Sequence, residues 1–293
     1  MINFVTANLM NYDGKDPEQY ARYAQLVSML ASQKPDILVV QELISGPDNG
    51  GDALTRLRAA EDALIDLADA LGLTCSADER ATASISQTRH HTGVLWRHGI
   101  DVVPRRFSPY DSDVYGNSHG MAVVLFDVGG RPLRVGSAHF SHFDPGLSGG
   151  WRDAGVVMRA FNRNDGIPGI VGGDWQGIGS DETYDKDPYK GKPWDVSHAL
   201  HYDLNGEVDR HGAIRLERYG RFRDCAQLVG ADWEATTGHH HTDTNEPRRI
   251  DRVYVTYNFP EAAVTSYRVV GTDVVGQCTD HRPAVVEVDE TKI

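Results

Sequence analysis

The 293 residues are 40% hydrophobic and 24% charged, which excludes a disordered chain and leaves apolar material for a sizeable core in one large or two small domains. The longest apolar runs, Ile37 to Val40 and Met121 to Phe126, fall far short of the ~20 residues that span a bilayer, and a formal net charge of -13 disfavours long-range steering toward polyanions. Cys75, Cys225 and Cys278 are widely spaced and odd in number, which gives neither a disulfide framework nor a zinc-ligand pattern, and they read as core thiols of a reducing compartment. Met1-Ile2-Asn3-Phe4-Val5 has no basic segment followed by an apolar one, so no signal peptide is seen and a cytoplasmic location is expected.

Asn3 to Ala7 reads as a strand, and the Asp13-Gly14 turn follows it. Asp16 and Pro17 then form an N-cap and N1 pair that opens a helix, with Tyr20, Tyr23, Ala24, Val27, Leu30 and Ala31 at helical spacing. Pro35 stops the pattern, and Ile37 to Val40 is a buried strand that carries Gln41-Glu42 at its C-terminal end. A second helix runs from about Asp52 to Leu71, with Gly72 in the C′ position. Strand-like runs at Val94 to Trp96, Met121 to Val128 and Leu133 to Phe140, the last two joined by Gly129-Gly130, predict an antiparallel meander. Trp151 to Phe161 is helical in pattern and Gly169 to Gly172 is a short strand. Ile250 to Thr256, Val264 to Val270 and Ala284 to Val288 are β-branched strand candidates. Residues 181 to 221 have no clean period and read as a long surface excursion, either a tolerated insertion or a specificity loop. With no repeat and no Pro/Ser-rich linker, the expectation is one continuous domain over 1–293.

Polar residues recur just after the strand-like runs: Asn8 after Val5-Thr6-Ala7, Gln41-Glu42 after Val39-Val40, His139 after Gly136-Ser137-Ala138, Gly173-Asp174-Trp175-Gln176 after Ile170-Val171, and Asp251 after Arg249-Ile250. Thr279-Asp280-His281-Arg282-Pro283 precedes the last strand. Singly, each segment has a structural explanation, because Gly-Asp pairs make turns and Asp beside His is a common cap or ion pair. Together and in this order they resemble the motif series of the endonuclease/exonuclease/phosphatase (DNase I-like) superfamily, over residues 3 to 288.

That resemblance implies an α+β fold, a four-layer α/β/β/α sandwich of two mainly antiparallel sheets, with the site at one end of the sheets. It implies hydrolysis of a phosphate ester with Mg²⁺ or Mn²⁺, held by Glu42 with Asn8 and Asp280 in support. Hard cations of this kind suit carboxylate and amide oxygens. By the same resemblance Asp251 orients His281 against the scissile phosphate, Asp174 handles the attacking water, and His139 donates to a phosphate oxygen. The family has Asn two residues after the Asp, where this chain has Gln176, one methylene longer, which bears on oxyanion stabilisation. The first reading of substrate is nucleic acid. A phosphatase or phosphodiesterase acting on a lipid headgroup or small nucleotide is the enzymatic alternative, and a silent phosphate- or protein-binding relative is the third.

Other features read as ordinary surface or packing. His239-His240-His241 is expected as a solvated loop and His90-His91 as an exposed turn; Trp175 reads as a packing residue. Among the short basic clusters Arg105-Arg106, Lys190-Gly191-Lys192 and Arg248-Arg249, the last is the best placed for a phosphate contact.

Overall fold

The computed structural model describes residues 1–44, 52–141, 149–203 and 205–293, with Ser197 and Leu200 as backbone only. Its strands are β1 (Ile2–Tyr12), β2 (Ile37–Ile44), β3 (Ser76–Ala77), β4 (Arg80–Ala81), β5 (Ala83–Ser84), β6 (His90–Trp96), β7 (Asp101–Tyr110), β8 (Met121–Val128), β9 (Arg131–His139), β10 (Gly169–Asp174), β11 (Arg223–Asp224), β12 (Asp251–Val255), β13 (Val264–Val269) and β14 (Ala284–Val288). The helices that matter here are α1 (Tyr20–Ser32), α2 (Ala53–Leu71), the short α3 (Ser112–Tyr115) and α4 (Gly149–Phe161).

Two six-stranded sheets form, in the orders β13-β14-β1-β2-β6-β5 and β11-β12-β10-β9-β8-β7. Each contains one parallel pair, β1 with β2 and β9 with β10, made possible by the crossovers through α1 and α4; the other pairings are antiparallel. The inner faces share a core that includes Phe4, Val39 and Trp96 from one sheet and Phe126, Val135 and Val253 from the other. α1 and α2 cover the outer face of the first sheet through Leu26, Leu30, Leu64 and Leu67, and α4 covers the second through Val157 and Phe161. This is the α/β/β/α sandwich.

The helix signals act as expected. Asp16 accepts from the Glu18 N–H and opens a 3-10 turn at Pro17–Gln19 that runs into α1. Asp52 accepts from the Thr55 N–H, and Gly72 closes α2 at φ 66. The expected meander is corrected. Val94 to Trp96 belongs to β6, which pairs with β2 in the first sheet, and the meander of the second sheet is β7-β8-β9. β7 was not read as a strand because it is an edge strand carrying Pro104, Pro109 and a left-handed Arg105, with most of its residues at least partly exposed.

The 181–221 segment is anchored to the body of the fold at a few buried residues. Asp185, buried within it, accepts two hydrogen bonds from Arg249, and Arg210 donates to the Gly179 and Asp185 carbonyls. Tyr189 and Val208 pack with Ile178 and Ile250 in a small cluster of their own. Trp175 is buried between Phe140 and Tyr254 and donates from Nε1 to the Arg252 carbonyl at 2.9 Å, a packing role. No described helix is long and apolar enough to cross a membrane.

Candidate active site

Two adjacent strands of the first sheet are irregular at the same level. The β1–β2 register shifts between Asn8 and Tyr12, where Met10 and Asn11 take φ 51 and φ 59, and the β2–β6 register shifts between Val40 and Leu43, where Glu42 takes φ 61. Left-handed backbone is strained for Met10 and Glu42 and tolerated by Asn11, and a bulge re-aims the side chains around it. The Asn11 N–H donates to Glu42 Oε2 at 3.0 Å, and the Met10 N–H donates to Asn8 Oδ1 at 3.0 Å. With its carbonyl so occupied, Asn8 turns its amide nitrogen toward two carboxylates, Glu42 Oε1 and Asp174 Oδ2, each at 3.1 Å.

The second carboxylate comes from the other sheet, and Gly172 is what lets the two strands meet. A Cβ there would lie 2.7 Å from Thr6 Cβ, so only glycine allows β1 and β10 this close two residues before Asp174. Within the second sheet Asp174 is in register with His139 on β9 and with Asp251 on β12, so three polar side chains stand side by side. His281, in the turn before β14, docks onto them. Its Nδ1 lies 2.8 and 3.0 Å from the Asp251 carboxylate oxygens and its Nε2 lies 3.8 Å from Asp174 Oδ2. Thr279 Oγ1 accepts from the His281 N–H and donates to the Asn8 carbonyl, tying that turn to β1.

Asp174, Asp251 and His281 thus offer three possible ligand atoms within 4.8 Å of one another. Glu42 reaches this cluster through Asn8. Asp280 is half-buried and makes no hydrogen bond or ion pair among the described residues. Gln176 stands at φ 54 and folds back, donating from its backbone N–H to Asp174 Oδ1 at 3.0 Å and from Nε2 to Oδ2 at 2.8 Å, with His139 Nε2 at 3.5 Å. The extra methylene is absorbed by this curl.

Arg249 is not available for a phosphate, because it is fully buried with both Asp185 and Asp224, and Arg248 is buried against Asp243. His91 is buried in β6, not in an exposed turn, and burial pulls its imidazole down to about 3. In the histidine run, His240 is buried and only His241 is exposed. Burial, then Arg282, His240 and His281, pull the His239 imidazole down. Sequence reasoning missed Asn11, since nothing in Met10-Asn11-Tyr12 signals that a bulge will direct its N–H at Glu42.

No family model matches the chain, and no curated protein sequence does. Solved structures match across its whole length. An endonuclease/exonuclease/phosphatase family protein from Bacteroides thetaiotaomicron has a TM-score of 0.64 at 15% identity, covering 98% of this chain and 97% of that one. The chain has the endonuclease/exonuclease/phosphatase fold. A mannosyl-6-phosphatase of Bacteroides thetaiotaomicron VPI-5482 shares the fold at a TM-score of 0.61 and 15% identity, covering 99% and 100%. D. rerio TDP2 in complex with a single strand DNA product does so at 0.58 and 15%, covering 98% of each chain.

On this fold the carboxylates are crowded. Burial, with Asp251 and Glu42 adding to it, pushes Asp174 up to about 7, against the opposing pull of His281 and the Gln176 N–H. Burial alone would pull the His281 imidazole down, but Asp251, Asp174 and Asp280 hold it well above its ordinary value. An acid whose folded value exceeds its unfolded 3.8 binds its proton more tightly in the folded state. The stabilisation this gives is present at low pH and is lost as pH rises through about 7. His281 has the same sign, its extra stability being lost only well above 6.5. We therefore expect metal-free protein to gain on Asp174→Asn as pH rises. The melting temperature of the variant relative to wild type should increase by roughly 5 °C between pH 5 and pH 8. A difference independent of pH in thermal melts would show that Asp174 does not carry this burden.

Proposed function

We propose that this chain is a divalent-metal-dependent hydrolase of phosphate esters that cleaves nucleic-acid phosphodiesters in single-stranded or short form. The observation that carries the proposal is the Asp251–His281 pair set against a buried Asp174, with Asn8 joining Asp174 to Glu42 across the two sheets. Carboxylate oxygens gathered with negative charge in excess suit Mg²⁺ or Mn²⁺, and Glu42 would hold it, with Asn8 positioning that carboxylate through its amide nitrogen and Asp280 in support. A bound ion supplies positive charge at a phosphoryl oxygen and at the departing alkoxide.

The chain's own groups do the rest. Asp251 accepts from His281 Nδ1 and fixes the ring, leaving Nε2 toward the reaction space to contact a phosphoryl oxygen. Asp174, held by Asn8 and Gln176 and pushed up to about 7, is suited to take a proton from the attacking water near neutral pH. His139 stands beside it, Nε2 at 3.6 Å from Asp174 Oδ2, and donates to the phosphate.

A groove of about 1000 Å³ opens from Met10 and Asn11; its lining holds none of the proposed catalytic residues and no described residue of 181–221, so it lies beside the reacting centre and leaves room for a substrate to extend past it. A DNA duplex is disfavoured. Arg22 is spent on the Leu9, Asn11 and Cys278 carbonyls, Arg282 on Glu234 and two carbonyls, and Arg248 and Arg249 on carboxylates. That scarcity of cations also favours a second reading, a small phosphomonoester substrate. The deciding experiment offers a single-stranded oligonucleotide, supercoiled plasmid and a sugar phosphate with Mg²⁺ or Mn²⁺, using EDTA and His281→Ala as controls. Oligonucleotide cleavage abolished by both controls is the expected result. Phosphate release from the sugar phosphate alone would replace the nuclease reading with the small-substrate one.

Gln176 separates a working enzyme from a silent relative. Gln176→Ala should lower kcat by roughly 10–100-fold, because Asp174 and His139 lose a shared neighbour. Gln176→Asn should retain most of the activity, since Asn tolerates the φ of 54. A large gain in Gln176→Asn over a near-inactive wild type would mean that the natural chain is silent.

A further inference from the structure

The wall of the site beside β6 carries groups that the hydrolysis leaves unused. The His119 ring lies flat on His139, with centroids 4.0 Å apart and planes 11° apart, and His90 stands 5.8 Å from His119 and 6.3 Å from His139. His90 Nε2 lies 2.9 Å from Asn11 Oδ1; an amide oxygen only accepts, so His90 donates there. Arg89 reaches the same oxygen at 3.5 Å, a weak contact, and among the described residues it has no carboxylate partner. Arg89 is half-buried and lines the groove together with Asn11, His240 and His241. His240 Nδ1 accepts from the Thr242 N–H at 3.2 Å, which leaves its Nε2 as a donor.

We propose that Arg89, with His240 in the same groove, is a subsite for a second phosphate of the substrate, the one next to the scissile phosphate. This rests on the nuclease reading above. A guanidinium fork without a carboxylate partner, partly shielded from water, matches the oxygens of a phosphate and is the strongest anion-binding group the groove offers. Asn11 couples it to the reaction, because its side chain meets Arg89 and His90 while its N–H holds Glu42. The subsite is one phosphate long. Asp13, Asp16 and Asp62 also line the groove, and Lys15 is paired with Asp62, so a longer cationic track for further phosphates is not provided.

The test compares dithymidine monophosphate with the same dinucleotide carrying one extra terminal phosphate, at the 5′ or the 3′ end, by chromatographic rate measurement with Mg²⁺. Wild type should cleave one of the phosphorylated forms with kcat/KM roughly 10–100-fold above the bare dinucleotide. Arg89→Ala should cut that preference to about twofold, and Arg89→Lys should keep an intermediate value, because it preserves charge and loses the fork. Circular dichroism of the half-exposed variant checks its folding. Equal rates on all three substrates, or a preference that survives Arg89→Ala, would overturn the subsite while leaving the nuclease reading intact. Cleavage of none of the three while the longer single-stranded oligonucleotide is still cut would overturn the subsite alone, and cleavage of neither the dinucleotides nor the oligonucleotide would overturn both.

Discussion

Replacing His281 by Ala is expected to lower kcat/KM by roughly 10²–10⁴-fold, and Asp251→Asn to cause a loss in the same range. Both ring-nitrogen contacts of His281 point to this size of effect. Nδ1 is fixed by Asp251 at 2.8 Å, and Nε2 lies beside Asp174 at 3.8 Å, so the two groups would act on a phosphate from the same side. Because Asp251 acts through the ring it orients, the double variant should be little worse than His281→Ala alone. Steady-state kinetics of the four proteins on one oligonucleotide, with circular dichroism confirming equal folding, gives the cycle. If the two losses multiply, Asp251 acts on the substrate independently and the pair is not a unit.

Arg249→Ala should cost about 3–5 kcal/mol of stability, the loss typical when one partner of a buried ion pair is removed. Arg249 donates from Nε and Nη2 to Asp185 at 2.9 and 2.5 Å and from Nη2 to Asp224 at 2.6 Å, and its guanidinium lies 4.9 Å from the Tyr184 ring centroid. Its removal would leave two buried carboxylates facing each other without a cation and would release the 181–221 segment from the strand that presents Asp251. Arg249→Lys should recover little, since a point charge cannot serve both carboxylates in the fork's geometry. Urea unfolding read by tryptophan fluorescence measures this, with Trp233 donating to Asp185 as a local reporter. A loss below about 1 kcal/mol would mean that the segment is held by its apolar cluster and not by the triad.

The two variants divide the site's residues as the sequence could not. Asp251 and Arg249 lie two positions apart in one motif, which offers the first as the partner of His281 and the second as a phosphate contact. Asp251 is the first residue of β12 and bonds to His281, whereas Arg249 lies in the irregular chain before that strand and turns to Asp185 and Asp224 under the 181–221 segment. Likewise, α1 and α2 with their caps, and most strands, follow from residues close in sequence, because helix period and capping are local. β7 did not, because an edge strand with two prolines lacks the apolar alternation that marks a strand.

By itself the sequence determined most of the helices and strands and marked the side chains proposed for the site, since apolar spacing and the order of short polar motifs are written along the chain. Only the tertiary structure decided how those side chains meet. Asn8 bonds to Asp174 across 166 positions of chain, β6 joins the first sheet and not the second, and Arg89 faces a groove while Arg249 is spent in the core. The physical reason is that these contacts depend on how closely two sheets approach, set here by a missing Cβ at Gly172, and on bulges at Asn11 and Glu42 whose strain the packed sandwich sustains.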